Sequence, residues 1–202
     1  MARATKAACA PCHANPAGGV GLTEAGKAFK ADNARVPAGE VKAAEYIGTN
    51  KCKMCHLKEF KGWQATRHAH AFEGLAAAKA EDVKAMAEKL KVELTGSPDK
   101  TDACITCHVT GFQLAGGYPA ADSAKTANLG LVGCEGCHGP GSIHASKDTP
   151  KEAKKKFING GVTENMCKNC HTPEMSPKFE FAEYKAKGVH PIAAAAAAPA
   201  SK

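Results

Sequence analysis

Apolar residues recur at helical spacing in only a few segments of this chain. The clearest segment runs from Gly74 to Leu94, is mostly alanine, lysine and glutamate, and ends at a Thr-Gly-Ser-Pro turn, so it predicts the longest helix. One stripe of that helix is apolar and is expected to be buried: Leu75, Val83, Met86, Leu90 and Leu94. Shorter helices are predicted over 23–30 and 149–157, and a glycine-rich loop over 111–128. The pattern predicts a mainly α fold with extensive loops.

The composition leaves this fold short of a core. Aromatic residues make up 5% of the 202 positions, Trp63 is the single tryptophan, and twenty glycines and eleven prolines favour turns over sheet. So few large apolar side chains would struggle to outweigh the conformational entropy lost on folding. Something other than side chains is therefore expected to fill the interior. No run of about 18 apolar residues occurs, so no transmembrane segment is expected.

All ten cysteines fall into one repeated pattern, Cys-x-x-Cys-His, which is the attachment signature of c-type haem. Two thiols separated by two residues reach the two vinyl groups of one porphyrin, and the following histidine binds iron as the proximal ligand. The pattern predicts five covalently bound haems c as cofactors and an interior built around five stacked haems. The attachment cysteines are Cys9, Cys12, Cys52, Cys55, Cys104, Cys107, Cys134, Cys137, Cys167 and Cys170. The proximal histidines are His13, His56, His108, His138 and His171, and each motif is named after its histidine.

Other uses of paired cysteines explain the pattern less well. A structural zinc site pairs two Cys-x-x-Cys units, which would leave one of the five units unpaired and would not require a histidine after each. A thioredoxin-like redox pair needs a strand-helix context that these segments lack. A disulfide framework suits ten cysteines in an exported chain but does not account for the histidines. Haem attachment accounts for every cysteine and for five of the nine histidines.

The formal charge of +7 would otherwise suggest a nucleic-acid partner. The lysines are spread along the whole chain, however, with one short cluster at 154–156. Each ferric haem with two histidine ligands adds about −1, because two propionates outweigh one positive iron-porphyrin centre. The basic residues thus largely offset cofactor charge, and no nucleic-acid partner is expected.

Five six-coordinate haems need more axial ligands than the nine histidines can supply. Beyond the proximal five, the candidate distal ligands are His68, His70, His144 and His190. If 67–72 is helical, His68 and His70 point about 200° apart and serve different haems. The missing ligand leaves four alternatives: a five-coordinate haem, a methionine such as Met86 or Met175, a histidine from a neighbouring copy, or another nitrogen or oxygen ligand.

Several of these segments, taken together, resemble the cytochrome c-554 family of tetrahaem cytochromes. The matching residues are 51–56 (KCKMCH) with Trp63, 68–75 (HAHAFEGL), 104–112 (CITCHVTGF), 116–118 (GGY), 133–141 (GCEGCHGPG) with His144, and 167–171 (CKNCH), within about 45–175. The resemblance implies an α-helical fold with haems in close pairs and a role as a periplasmic electron carrier. It also implies that His68 and His144 are distal ligands and that the His108 haem is five-coordinate. His70 has no counterpart in that pattern, and is expected either to serve the extra His13 haem or to close the His108 haem.

The predicted organisation is a single-haem extension over 1–44, a tetrahaem core over 45–190 and an alanine-rich tail over 191–202. The expected function is electron transfer between redox partner proteins, rather than enzyme catalysis. Two alternatives stay open: a subunit of an extracellular cytochrome filament, and a reductase of a small nitrogen oxide at one open haem. The expected location is periplasmic or extracellular, with an export signal removed before this numbering begins.

Overall fold

The computed structural model describes residues 21–22, 26–27, 44–187 and 190. Within these ranges short helices alternate with long loops, which confirms the predicted mainly α class. The α-helices, in chain order, are α1 (Thr49–Lys53), α2 (Leu57–Gln64), α3 (Ala71–Ala76), α4 (Ala80–Leu90), α5 (Asp102–His108), α6 (Ser123–Ala127), α7 (Cys134–His138), α8 (Ser142–Ala145), α9 (Glu164–Lys168) and α10 (Phe181–Lys187). Single 3₁₀ turns cover Arg67–His70, Pro98–Lys100 and Lys154–Phe157. Over this part of the chain, no helix has the length and apolar character needed to cross a bilayer.

The long helix predicted from Gly74 to Leu94 is wrong in its extent. Residues 77–79 interrupt it, so that α3 ends before them and α4 begins after them and ends at Leu90. Glu81 and Asp82 stand in the first turn of α4, where acidic side chains favour a helix start. The predicted stripe is less buried than expected: Val83, Met86 and Leu90 are half-buried, and the buried residue of α4 is Ala87, which the prediction did not include.

Three other predicted elements have different outcomes. The helix predicted over 149–157 is wrong apart from the 3₁₀ turn Lys154–Phe157, and the loop predicted over 111–128 contains α6. Of the helix predicted over 23–30, only Gly26 and Lys27 are described, and both are helical. The rest of the N-terminal extension and the 191–202 tail lie outside the described residues.

The buried apolar side chains of the described chain are few. They are Ala44, Phe60, Trp63, Ala87, Ile105, Val109 and Leu129. Two of them are alanines, and the aromatic pair Phe60 and Trp63 is the bulkiest contact, with ring centroids 5.5 Å apart. Such a set is small for a chain of this length, as expected if cofactors supply much of the interior.

Polar side chains, rather than apolar ones, join the segments around the attachment motifs. The Glu135 carboxylate, itself 2% exposed, accepts hydrogen bonds from the backbone N–H groups of Ile47 (3.0 Å), Gly48 (2.8 Å) and Gly141 (2.7 Å). The Thr110 hydroxyl donates to Leu131 O at 2.7 Å and accepts from the Gly133 N–H at 2.9 Å. These bonds hold the segment that precedes α1, and the end of α5, against the His138 motif.

The indole of Trp63 makes a third link of this kind. Its Nε1–H donates to Val132 O at 3.0 Å, and the Val132 N–H donates to His68 O at 3.0 Å. Helix α2 and the 3₁₀ turn that carries His68 are thereby fixed to the chain just before α7. The backbone of one candidate iron ligand is thus positioned by the segment that leads into another haem motif.

Candidate functional site

Each described Cys-x-x-Cys-His motif contains a single helical turn. In the His56 and His171 motifs the histidine N–H donates to the carbonyl of the first cysteine, at 2.9 Å in both cases. In the other two described motifs, α5 ends at His108 and α7 ends at His138. Residues three and four positions apart in a helix share one face. The turn therefore presents both thiols and the imidazole to the same side, as attachment to one porphyrin requires.

Three of the proximal histidines face a second histidine across a gap. The ring centroids are 6.1 Å apart for His56 and His144 and 6.1 Å apart for His138 and His190. The third pair, His68 and His171, has centroids 6.0 Å apart. The planes of the first two pairs are inclined by 25° and 27°, and those of the third by 87°.

These separations fit two imidazoles that bind one iron from opposite sides. A metal–imidazole bond is about 2 Å long, so two bonds in line, together with the depth of each ring beyond its nitrogen, place the centroids roughly 6 Å apart. Aromatic contacts place ring centroids about 4.5–7 Å apart, so the separation alone also fits direct ring contact. What favours a shared iron is that each pair joins a proximal histidine to one of the candidate distal histidines. Among the described residues, moreover, no three His, Cys, Asp or Glu side chains converge on one point as a zinc site would require.

Hydrogen bonds at Nδ1 fix the orientation of four imidazoles of the described chain, three from these pairs and that of His108. Nδ1–H donates to a backbone carbonyl in three of them: His108 to Ala71 O at 2.8 Å, His138 to Asn159 O at 2.5 Å, and His144 to Lys154 O at 3.0 Å. In His171 the partner is the Ser176 hydroxyl, at 3.0 Å. An acceptor at Nδ1 selects the tautomer that leaves Nε2 available to a metal ion.

In the His68–His171 pair, an aromatic ring packs on one imidazole and burial lowers the pKa of the other. The ring of Phe179 stacks on His171, with centroids 4.5 Å apart and planes inclined by 16°. Burial, and to a lesser degree the charge of His171, lowers the pKa of His68. His68 is therefore neutral near pH 7, which is the form that binds iron.

Thiols of different motifs lie side by side. The side chains of Cys52 and Cys134 are hydrogen-bonded to each other, which raises the pKa of Cys52 and lowers that of Cys134. Burial, with the nearby thiols of Cys167 and Cys170, raises the pKa of Cys137 to about 11. The attachment edges of the His56 and His138 motifs therefore meet, and those of the His138 and His171 motifs are neighbours.

Two histidines of the described chain stand apart from these pairs. His108 faces no other described imidazole. His70 is on the surface with 60% of its side chain exposed, and its Nδ1 is 3.0 Å from Glu73 Oε2. It lines an open groove of about 470 Å³ with Ala65, Thr66, Arg67, Glu73, Gly74 and Ala77. Cys9, Cys12 and His13 lie outside the described residues.

Sequence reasoning did not single out the groups that orient the ligands. The acceptors at Ala71, Asn159 and Lys154 are backbone carbonyls, which no residue type reveals. Glu135 was also overlooked, although an acidic residue between the two cysteines of a motif is a visible feature of the sequence.

Comparison with known proteins gives matches over the same part of the chain. The family model described as cytochrome c554 and c-prime matches residues 51–139. Cytochrome c-554 of Nitrosomonas europaea is 30% identical over 169 residues, which cover 68% of this chain and 70% of that protein. The solved structure of reduced cytochrome c554 from Nitrosomonas europaea is similar with a TM-score of 0.54 and 27% identity, over 74% of this chain and 85% of that one.

Proposed function

Because the chain belongs to the cytochrome c-554 family, and is therefore a multihaem c-type cytochrome in electron transfer, we propose that it binds five haems c and passes electrons through them between redox partners. Haem iron, when bound, supplies the one-electron couple. The residues of this chain attach each haem, orient its axial imidazoles and hold neighbouring haems close together. By the same family resemblance, we propose a periplasmic location.

The three facing imidazole pairs carry this proposal. Four of the five attachment motifs are in the described chain, and three of their proximal histidines have a partner at a separation of 6.0 or 6.1 Å. We propose that His144 binds the iron of the His56 haem, His190 that of the His138 haem, and His68 that of the His171 haem. Bis-histidine ligation makes these irons low-spin carriers with no open position.

The fourth described motif is expected to hold a five-coordinate haem. Because the Nδ1–H of His108 donates to Ala71 O, the backbone next to His70 lies at the end of this imidazole away from Nε2. A second ligand to a haem held by His108 Nε2 would have to come from the opposite side, whereas His70 is the chain neighbour of Ala71, on the Nδ1 side of the His108 ring. We propose that the sixth position of the His108 haem is open.

By elimination, we assign His70 to the His13 haem. Its Nδ1 is bound to Glu73, so that Nε2 is directed outward, and its groove is lined largely by small residues, against which a flat ring can lie. Arg67 in the same groove offers a partner for a propionate. The chain from His13 to Ala44 is long enough to cross the molecule, at up to about 3.3–3.6 Å per residue.

Electron paramagnetic resonance of the oxidised holoprotein tests the ligand assignment, with mass spectrometry to count haems. Four low-spin irons and one high-spin iron are expected in the wild type. His70→Ala should give a second high-spin iron, and His144→Ala, a control within a described pair, should do the same at a different haem. A mass corresponding to fewer than five haems would contradict the haem count. A His70→Ala spectrum like that of the wild type would contradict the His70 assignment.

The unpaired His108 also favours a second function, the reduction of a small nitrogen oxide at an open iron. Added nitric oxide should then change the high-spin signal of the oxidised protein and leave the low-spin signals intact. A filament remains the third proposal. It needs a histidine donated between copies, and no distal candidate is left for that role if His70 binds within its own chain. Electron microscopy of the concentrated protein distinguishes a filament from a monomer.

A further inference from the structure

Two basic segments flank the haem site between His56 and His144. Residues 51–61, which contain His56, carry four lysines and one glutamate, and residues 147–156, which follow His144, carry five lysines and two acidic residues. Eight of these nine lysines have exposed side chains: Lys51, Lys53, Lys58, Lys61, Lys147, Lys151, Lys155 and Lys156. We call these eight lysines the basic face.

The basic face is not neutralised by ion pairs. The ion pairs within the described ranges are His70–Glu73, Lys168–Glu164 and Lys187–Glu183, and none of them includes a lysine of this face. The ninth lysine, Lys154, is held inside by the carbonyls of His144 and Ser146, at 2.9 and 2.5 Å. The exposed ammonium groups therefore stay available to a partner.

An apolar centre accompanies these charges. Met54 is 80% exposed and Leu57 is 47% exposed, and they are two of the three large apolar side chains that the described chain leaves exposed. Both lie next to Cys55 and His56. Protein interfaces commonly have an apolar centre and a polar rim, and methionine adapts its shape to different partners.

The opposite end of the described chain lacks this charge excess. Residues 164–187, which contain the His171 motif, carry four lysines and four glutamates, and two of the ion pairs lie among them. Each oxidised haem contributes about −1, which leaves the surroundings of the His56 haem strongly positive. The charge excess therefore distinguishes the surroundings of the His56 haem from those of the His171 haem.

We propose that the basic face is a docking surface for an acidic one-electron redox protein, and that electrons enter or leave this cytochrome at the His56 haem. The inference rests on the proposed function, since it needs a haem at that site. One electron crosses the interface and no atom is transferred: when the partner is the donor, it is oxidised and the cytochrome is reduced. Exposed rim charges of this kind act mainly on the rate of association.

Stopped-flow reduction of the oxidised holoprotein by a reduced plant-type [2Fe–2S] ferredoxin, which is acidic and of low potential, tests the proposal. The variant Lys53→Glu with Lys58→Glu changes the basic face. The matched control is Lys185→Glu with Lys178→Glu, which has the same charge change in the balanced segment. Each variant also removes one lysine that lies over a phenylalanine ring, Lys53 over Phe60 at 5.1 Å and Lys185 over Phe181 at 5.5 Å.

At low salt the basic-face variant should react with the ferredoxin about tenfold more slowly than the wild type, and its rate should depend less on ionic strength. The control should stay within about twofold of the wild type. Equal rates for the two variants, slowed or not, would overturn the proposal, because net charge alone would then explain the result.

Haem content and dithionite reduction separate this inference from the function on which it rests. If the chain carries no haem at the His56 motif, the proposed function fails there. If haem is present and dithionite reduces the wild type and both variants at the same rate, the result with ferredoxin tests the docking surface alone. Should Lys53→Glu impair haem attachment beside Cys52, Lys151→Glu with Lys155→Glu tests the other half of the basic face, and the same tenfold loss is expected.

Discussion

Replacement of Glu135 should expose how much the fold depends on one buried carboxylate. Oε1 accepts from Ile47 N–H (3.0 Å) and Gly141 N–H (2.7 Å), and Oε2 accepts from Gly48 N–H (2.8 Å) and, more weakly, from Ile47 N–H (3.1 Å). Glu135→Ala would leave three backbone N–H groups without this acceptor. An unsatisfied buried donor costs about 1–3 kcal/mol, so with partial relaxation we expect a loss of about 3–6 kcal/mol. That is a large part of a typical stability of about 5–15 kcal/mol.

Glu135→Gln should cost less, because the amide oxygen can keep the bonds to Ile47 and Gly141. Its NH₂ group would then face the Gly48 N–H, so that one bond is lost at about 1–3 kcal/mol. Guanidinium unfolding of the holoprotein, followed by far-ultraviolet circular dichroism, measures both changes. Glu93→Ala, at an exposed site, is the control and should stay within about 0.5 kcal/mol of the wild type. The reasoning is refuted if Glu135→Ala is as stable as this control.

The same carboxyl group predicts a pH dependence. Burial raises the pKa of Glu135 above its usual 4.5, although the N–H groups of Gly141, Ile47 and Gly48 partly oppose the shift. Because the folded pKa is above the unfolded one, this contribution to stability is present below the unfolded pKa and is lost as pH rises through the folded pKa. The wild type should therefore lose stability relative to Glu135→Gln over that range. The opposite trend would mean that the hydrogen bonds outweigh burial.

Two further substitutions test close packing and the indole link. Gly117→Ala would place its Cβ onto the carbonyl oxygen of Gly111, so we expect a loss of more than about 3 kcal/mol in guanidinium unfolding. Gly160→Ala, whose Cβ meets no atom within 4 Å, is the control and should be near neutral in the same assay. Trp63→Phe removes the bond to Val132 O and should cost about 1–3 kcal/mol by chemical denaturation; an unchanged midpoint would show that water replaces the indole.

The mainly α class was predictable because apolar residues recur at helical spacing, whereas haem attachment at each Cys-x-x-Cys-His motif stays a prediction from the spacing. Two thiols three positions apart can share one porphyrin, whatever the rest of the chain does. The limits of helices were less predictable, since alanine and lysine at 77–79 favour a helix, yet these exposed residues interrupt it. Similarly, the carbonyl of Lys154 accepts the His144 Nδ1–H, and its ammonium group returns to His144 O, in a segment for which sequence predicted a regular helix.

The pairing of the ligands was beyond the sequence for a geometric reason. His144 and His190 follow the cysteines they would serve by 89 and 53 positions, whereas His68 precedes those that it would serve, so chain order does not say which two imidazoles meet. His190 stands before a proline and an alanine-rich tail, which gave no indication of a partner. Its separation from His138 is a property of the folded chain alone.

The acceptors at Nδ1 differ in how readily mutation can change them. At His108, His138 and His144 the acceptor is a main-chain carbonyl, which every amino acid supplies, so substitution at those acceptor positions leaves the oxygen in the chain. At His171 it is the Ser176 hydroxyl, which a single codon change can delete. If these imidazoles bind iron as proposed, a single substitution at Ser176 would alter the hydrogen bond of an iron ligand, whereas the three carbonyl acceptors would persist through substitution of their residues.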